Sequence, residues 1–352
     1  MRERLARAVW HGTGGLSVAA RAVLWPLELL FGGLSSTVGA RRARGAGHTA
    51  VPTVSVGNLS VGGTGKTPLA AWFAGALRDR GFRPAVLLRG YGGDEPLVHE
   101  RLNADVPVLV DAKRRRSGKR ALAQGATALV LDDGFQHRRM PRDLDVVVLS
   151  ADAWDGRVRL LPAGPFREPL SALRRAHLAV VTRKAATREQ AAAVVAEIRR
   201  VCPRIPVAVA YLAPGEVVAW RGGLSEATSA LNGLRILAVS GIGSPGPFVA
   251  QLRAVGADVQ DVTFGDHHAF SDTDAALLAS RASGMARVVC TLKDAVKLGP
   301  RWPRNAPGLW YLSQVVVWEA GAADVQVLLD RLVPHVALTT PASAGPMTEN
   351  NG

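Results

Sequence analysis

The chain is poor in cysteine and in aromatic residues, and it has too few acidic residues to balance its basic ones. Only Cys202 and Cys290 stand among 352 residues. Two cysteines at that spacing make neither a metal knuckle nor a disulfide framework. This excludes a disulfide-stapled secreted scaffold and is expected of small buried apolar side chains in a reducing compartment. Aromatic residues make up 5% of the chain. So sparse a set offers few platforms for stacking bases, which argues against a single-stranded nucleic-acid binder. No fixed-period repeat is present, and no small-residue cleavage site follows a clean apolar run, as a signal peptide requires. Lys and Arg number 43 against 29 Asp and Glu, a formal net charge of +14. Such a surplus implies an anionic partner: nucleic acid, an acidic membrane surface or a phosphorylated substrate.

What is present is a globular, turn-rich chain, 48% hydrophobic with 37 Gly and 21 Pro, long enough for two α/β domains. Residues 1–44 hold seven arginines and two glutamates. Between the clusters Arg2, Arg4, Arg7 and Arg41, Arg42, Arg44 lies a mostly apolar segment over 16–38. Arg21, Pro26 and Glu28 make it a costly spanning helix. The expectation is a helix lying in or dipping into the headgroup region, with its arginines on anionic lipid; a soluble amphipathic helix packed on the body is the alternative. From 50 to 205, short apolar runs over 51–56, 84–88, 106–110, 128–131, 145–149 and 178–181 alternate with helical stretches over 69–80, 115–124 and 188–200. This is the pattern of a parallel sheet covered on both faces. A smaller α/β segment follows, with strands over 206–210, 217–220, 235–240, 261–264 and 287–291 and helices over 247–255 and 272–282. A β-rich run over 309–318 and a helix over 323–332 close it. The runs near 206–220 and 309–318 are expected to pair as a connector.

Ser60-Val61-Gly62-Gly63-Thr64-Gly65-Lys66-Thr67 carries the strongest signal. It lies between the first apolar run and a helix-like run. A glycine-rich turn there aims backbone N–H groups and a helix N-terminus at phosphate oxygens. Lys66 reaches the β and γ phosphates, and the Thr67 hydroxyl ligates Mg²⁺. Ser60 stands where the usual pattern has glycine. Downstream, Ala128-Leu-Val-Leu-Asp132-Asp133 delivers carboxylates at a strand's C-terminal end, the ligand edge of an open α/β sheet. One of them is expected on Mg²⁺ and the other on a loop or substrate.

Other loops fall at the same edge. In Arg89-Gly-Tyr-Gly-Gly-Asp94-Glu95-Pro96, Arg89 can hold phosphate and Asp94 can accept a proton from an attacking hydroxyl; a solvated turn is the alternative. In Gly265-Asp266-His267-His268 an Asp–His pair can orient an imidazole, with a metal site or a plain surface loop as rivals. Thr291-Leu-Lys293-Asp294 is structural or touches the nucleotide. Gly164-Pro-Phe-Arg167-Glu168 offers one arginine to an anionic substrate, or is simply a loop.

Taken in order, these segments resemble one family. Gly57-Asn58 through Pro68, Arg89-Gly-Tyr-Gly-Gly, Asp94-Glu-Pro96, Leu131-Asp-Asp-Gly-Phe-Gln136-His137, Gly164-Pro-Phe-Arg-Glu-Pro169, Asp266-His-His268 and Thr291-Leu-Lys-Asp-Ala-Val-Lys297 are similar to tetraacyldisaccharide 4′-kinase, the lipid A 4′-kinase of Gram-negative bacteria. The resemblance runs from the N-terminal apolar segment to about residue 320. It implies ATP- and Mg²⁺-dependent phosphorylation of the 4′-hydroxyl of a tetraacylated glucosamine disaccharide 1-phosphate, giving lipid IVA at the cytoplasmic face of the inner membrane. It also implies phosphate on Lys66, Mg²⁺ on Thr67 and Asp132 with Asp133 beside them, Asp94 as base and His267 as its partner. Asn58, Arg89, Gln136, His137 and Arg167 are the candidate substrate contacts. Gly93 abuts Asp94, a shorter link than the family's usual pattern. A nucleotide-dependent switch or metallochaperone-like protein is the alternative; it should carry a Cys/His cluster, and none is found.

The sequence thus predicts a P-loop NTPase-type α/β domain over 41–205 and a smaller α/β domain with connector strands over 206–335. A membrane-associated helix over 1–40 and a disordered tail over 336–352 flank them. The expected partners are the lipid substrate and a membrane surface, with no nucleic acid and no obligate protein partner.

Overall fold

The computed structural model describes residues 9, 10, 12, 14–43, 50–90 and 93–333. The basic cluster at Arg2, Arg4 and Arg7, Arg44, residues 91–92 of the arginine loop and the tail over 336–352 lie outside the described residues.

Two kinds of strand build the sheet. The first are continuously buried: β1 (Thr53–Asn58), β2 (Pro84–Leu88) and β4 (Ala128–Asp132) have no exposed position. Apolar β-branched runs with both faces covered form parallel strands joined by helices. Here β1 pairs in parallel with β4 and with β5 (Leu144–Ser150), β2 with β4 and with β3 (Val108–Val110), and β5 with β6 (Leu178–Arg183). Helices α2 (Lys66–Arg78), α3 (Glu95–Leu102), α4 (Arg114–Ala123) and α5 (Arg188–Val201) are the crossovers. The second kind are long and half-buried: β7 (Val207–Ala219) and β12 (Leu309–Ala320). The sequence pattern divides β7 into two strands at Pro214-Gly215. In the structure it is continuous, and the ladder with β12 accommodates the break by slipping register between Leu312 and Gln314. The short β8 (Ser225–Ala227) adds to β7.

β9 (Arg235–Ser240), β10 (Asp258–Thr263) and β11 (Arg287–Thr291), with α6 (Gly246–Ala254), α7 (Asp272–Arg281) and α8 (Leu292–Leu298), complete the second half. α9 (Ala322–Asp330), which chain order groups with that half, returns to the first. Its Val325 and Leu329 join the core of Val54, Phe73, Val146 and Leu178, and Asp330 pairs with Arg80 at 2.8 Å. The sheet runs β10-β9-β11-β12-β7-β6-β5-β1-β4-β2-β3.

One reversal sets the position of the site. β7 runs parallel to β6 and antiparallel to β12, and β12 runs parallel to β11. β6 pairs with the first residues of β7, up to Tyr211, whereas β11 pairs with the first residues of β12, opposite the end of β7. The two halves therefore attach at opposite ends of one antiparallel ribbon. The C-terminal strand ends of each half face those of the other, and the C-terminal edge is where open α/β sheets bind ligands.

α1 (Gly15–Ala43) lies outside the sheet and contains Pro26. Its stretch Gly15–Gly33 is long and apolar enough, by length and composition, to cross a membrane. The charges that make such a segment costly are turned inward. Arg21 and Glu28, two turns apart on one face, are 5% and 8% exposed. Arg21 donates to the carbonyls of Val9 and Gly12 at 2.6 and 2.8 Å, and Glu28 accepts from the Leu160 N–H at 2.6 Å. Leu16, Val23, Trp25, Leu27 and Leu30 face outward.

Candidate active site

The phosphate loop is braced from three sides. Gly62 and Gly65 take positive φ, and Gly65 starts α2. A side chain at Gly65 would meet Leu212 Cδ1 at 2.5 Å, so both φ and space require glycine there. The Thr64 carbonyl accepts from Thr182 Oγ1 at 2.8 Å. The loop carrying Gly164 to Glu168 clamps the outer flank: Val61 N donates to the Pro165 carbonyl, Arg167 N to that of Leu59, and Ser60 bridges Phe166. Asn58 is fully buried and gives its amide to Thr64 Oγ1 at 3.1 Å. Expected among substrate contacts, it instead supports the loop in this structure.

A cavity of 460 Å³ opens over the loop. The first half lines it with Gly62 to Pro68, Arg89, Glu95, Arg114, Asp133, Arg167 and Lys184; the second half adds Ser244, Phe248, Asp266, His267 and Lys293. The facing strand ends thus bring Lys66 and His267 to one space.

Asp132 ends β4, and Asp133 follows it. Asp132 is 2% exposed and accepts from His99 Nε2 at 2.9 Å. Burial pushes its carboxyl up, but the His99 hydrogen bond and charge, with Lys66 and Lys293, bring it down to about 2. Asp133 has φ 52, in the left-handed region that Asp tolerates better than most residues. That turn sends it away from Asp132, to Lys66 at 3.7 Å and Arg167 at 3.2 Å. Burial again works against ionisation, and these two cations hold its carboxyl below the usual range. The buried Arg114 guanidinium donates to both main-chain carbonyls, at 2.8 Å to that of Asp133. Arg114 stands among four consecutive basic residues, and nothing in that run tells which one turns inward.

Asp94 caps α3 and is 3% exposed. Across the cleft, His267 Nδ1 lies 3.7 Å from Oδ1, and Lys297 Nζ lies 3.9 Å from Oδ2. Neither carboxylate oxygen has a hydrogen-bond partner among the described residues. Burial pushes Asp94 up, but His267, Lys293 and Lys297 keep it below its ordinary value. Asp94 in turn raises His267, against the effect of burial. Despite the short link from Arg89, the carboxyl reaches the second half. Glu95 is pushed up, mainly by burial and by Asp132.

The remaining expected contacts divide. Arg89 and Arg167 line the cavity. Gln136 donates to the Asn58 carbonyl at 2.8 Å and lies 3.4 Å from Arg167, so it braces the loop and the arginine. His137 lies outside the cavity lining, and burial, with Arg114 and Arg142 nearby, lowers it to about 4; it is a neutral imidazole at physiological pH. Lys184, at the end of β6, lines the cavity without any sequence signal to mark it.

The family whose model matches residues 20–333 is described as tetraacyldisaccharide-1-P 4′-kinase. A tetraacyldisaccharide 4′-kinase of Anaeromyxobacter dehalogenans (strain 2CP-C) is 42% identical over 327 residues, covering 83% of this chain and 86% of that protein. One of Vibrio vulnificus (strain YJ016) is 33% identical over 352 residues, covering 93% and 96%. Among solved structures, LpxK from Aquifex aeolicus in complex with ATP matches with a TM-score of 0.70 at 28% identity, over 89% of this chain and 99% of that one. The match of the family model over residues 20–333, with relatives 42% and 33% identical over most of both chains, leads to one conclusion: the chain belongs to the tetraacyldisaccharide-1-P 4′-kinase family.

Proposed function

We propose that this cavity transfers the γ-phosphoryl group of ATP to the 4′-hydroxyl of a tetraacylated disaccharide 1-phosphate, with Asp94 as base. The observation that carries the proposal is the cavity that Lys66 and His267 line together, with Asp94 3.7 Å from that imidazole. Family membership makes the chain a tetraacyldisaccharide 4′-kinase of lipid A biosynthesis and sets the switch-protein alternative aside; the proposal concerns which side chains act and where.

Lys66 and the loop's backbone hold the β and γ phosphates. Asp94, ionised and with no hydrogen-bond partner among the described residues, accepts the acceptor hydroxyl's proton, and His267 orients it. Arg89 and Arg167 offer guanidinium groups to the acceptor's phosphate. Asp133 keeps Lys66 and Arg167 in place. The site suits Mg²⁺, which takes one or two carboxylates and otherwise phosphate and water rather than an all-protein cage. Asp132 Oδ1 is buried with no hydrogen-bond partner among the described residues, and Thr67 is buried in the first turn of α2, so Thr67 and Asp132 would hold the ion. When bound, Mg²⁺ would neutralise charge on the phosphate oxygens. No group of three or more metal-binding side chains stands among the described residues, in keeping with that reading.

We place the reaction at the cytoplasmic face of the inner membrane, with α1 as a peripheral or monotopic anchor, and the body as two α/β domains divided near residue 206. The outward apolar face of α1 supports the anchor. The test is transfer of γ-³²P from ATP to tetraacyldisaccharide 1-phosphate in detergent. Labelled lipid is expected, and Lys66→Ala should lower turnover by about 10²–10³-fold. ATP hydrolysis without lipid labelling would overturn the acceptor assignment, and near-normal turnover in Lys66→Ala would overturn the site.

A further inference from the structure

α3 carries more than the residue at its N-terminus. His99 lies one turn beyond Glu95, and its side chain and that of Asp132 are 1% and 3% exposed. Its Nε2 donates to Asp132 Oδ2 at 2.9 Å, the ring's one hydrogen bond among the described residues, since Nδ1 has no partner. Asp132 Oδ1 is likewise buried and unpartnered. A buried polar atom left unpaired is destabilising, so the arrangement persists for a reason other than stability alone. The two oxygens of Asp132 are therefore unlike: one is held by an imidazole and one is open. Lys66 and Lys293, both lining the cavity, are near enough for their charge to act on this carboxyl.

We propose that His99 is a positioning residue, which holds Asp132 Oδ2 so that Oδ1 alone meets the divalent cation and which fixes α3, and with it Asp94, against the end of β4. The inference rests on the assignment of Asp132 to the metal. The bond spans the two parts of the site that must stay in step. Asp132 belongs to the sheet edge that holds phosphate. Asp94, one turn before Val98 and five residues before His99, caps the same short helix. Partners behind a metal ligand orient it, and their loss typically costs about 10–100-fold in metal affinity or activity.

The test is a titration with Mn²⁺, followed by electron spin resonance, on full-length protein saturated with the nonhydrolysable analogue AMPPCP. His99→Leu should weaken Mn²⁺ by about 10–100-fold. His99→Gln, whose longer amide can still donate to Oδ2, should restore most of it, and Asp132→Asn should lose it. If Asp132→Asn loses the ion while His99→Leu binds it like the unmodified protein, the positioning role is overturned. If Asp132→Asn also binds normally, the metal assignment itself falls. Should His99→Leu not fold, His99→Asn replaces it: too short to reach Oδ2, it should bind Mn²⁺ as weakly as predicted for leucine, and equal binding by the Asn and Gln variants would overturn the proposal.

Discussion

Asp94 and His267 perturb one another, and the consequence is measurable. The folded-state pKa of His267 lies above its ordinary value, chiefly through Asp94. A raised cation contributes stability that is fully present below its unfolded pKa of about 6.5. That stability is lost as pH rises through the folded value. The melting temperature of the protein minus that of His267→Gln should therefore be largest near pH 6 and shrink as pH rises; a difference flat over that window would mean the pair does not interact. Asp266 and Lys293 also face this imidazole, with opposite effects. Gly65 is a second residue-level case. With φ +85, and with Leu212 Cδ1 only 2.5 Å from where a methyl group would stand, Gly65→Ala should destabilise by about 1–3 kcal/mol and raise the KM for ATP, checked by denaturant unfolding and steady-state kinetics. The glycine-rich loop ahead of α2 is legible in the sequence because backbone geometry imposes a pattern there. His99, Arg114 and Lys184 are not: each acts through a burial that only the fold creates. Asn58 and Gln136 stand within the site's motifs, but chain order alone cannot tell that Asn58 gives its amide to the Thr64 hydroxyl and Gln136 to the Asn58 carbonyl.

Among the elements, strands are most legible where both faces are covered, since a continuous apolar run has few other uses. Arg287–Thr291 has the same limits in sequence and structure. α3 reads as loop in the sequence because Pro96 and the preceding glycines look like breakers, although proline is at home in a helix's first turn. α8 follows β11 with no intervening residue, leaving no turn signal between them. α1 shows how burial direction overrides composition. Arg21 and Glu28 count against a spanning helix in a linear reading, yet Glu28 is spent on the body and Arg21 on the carbonyls of Val9 and Gly12. Replacing Leu16, Val23, Leu27 and Leu30 with serine should therefore release the protein from vesicles whatever the salt concentration, because a lost hydrophobic contact is not screened. Co-sedimentation with phosphatidylglycerol vesicles at low and high salt measures it; retention of binding at either salt would refute the anchoring face.

For the whole molecule, two halves with their own cores share one sheet. Val54, Phe73 and Val146 belong to one core, and Leu237, Phe270 and Leu298 to another. The two-strand ribbon of β7 and β12 connects them, and Pro214 and Gly215 lie at its centre, next to the slip in register. Lys66 stands on one side of that centre and His267 on the other. A change of twist there would alter the distance between them, since the two stand on opposite halves joined through neighbouring strands of one sheet. The gap a phosphoryl group would cross is thus set in part by the stiffness of two strands at Pro214 and Gly215, and Gln314, the partner of Pro214, itself lines the cavity.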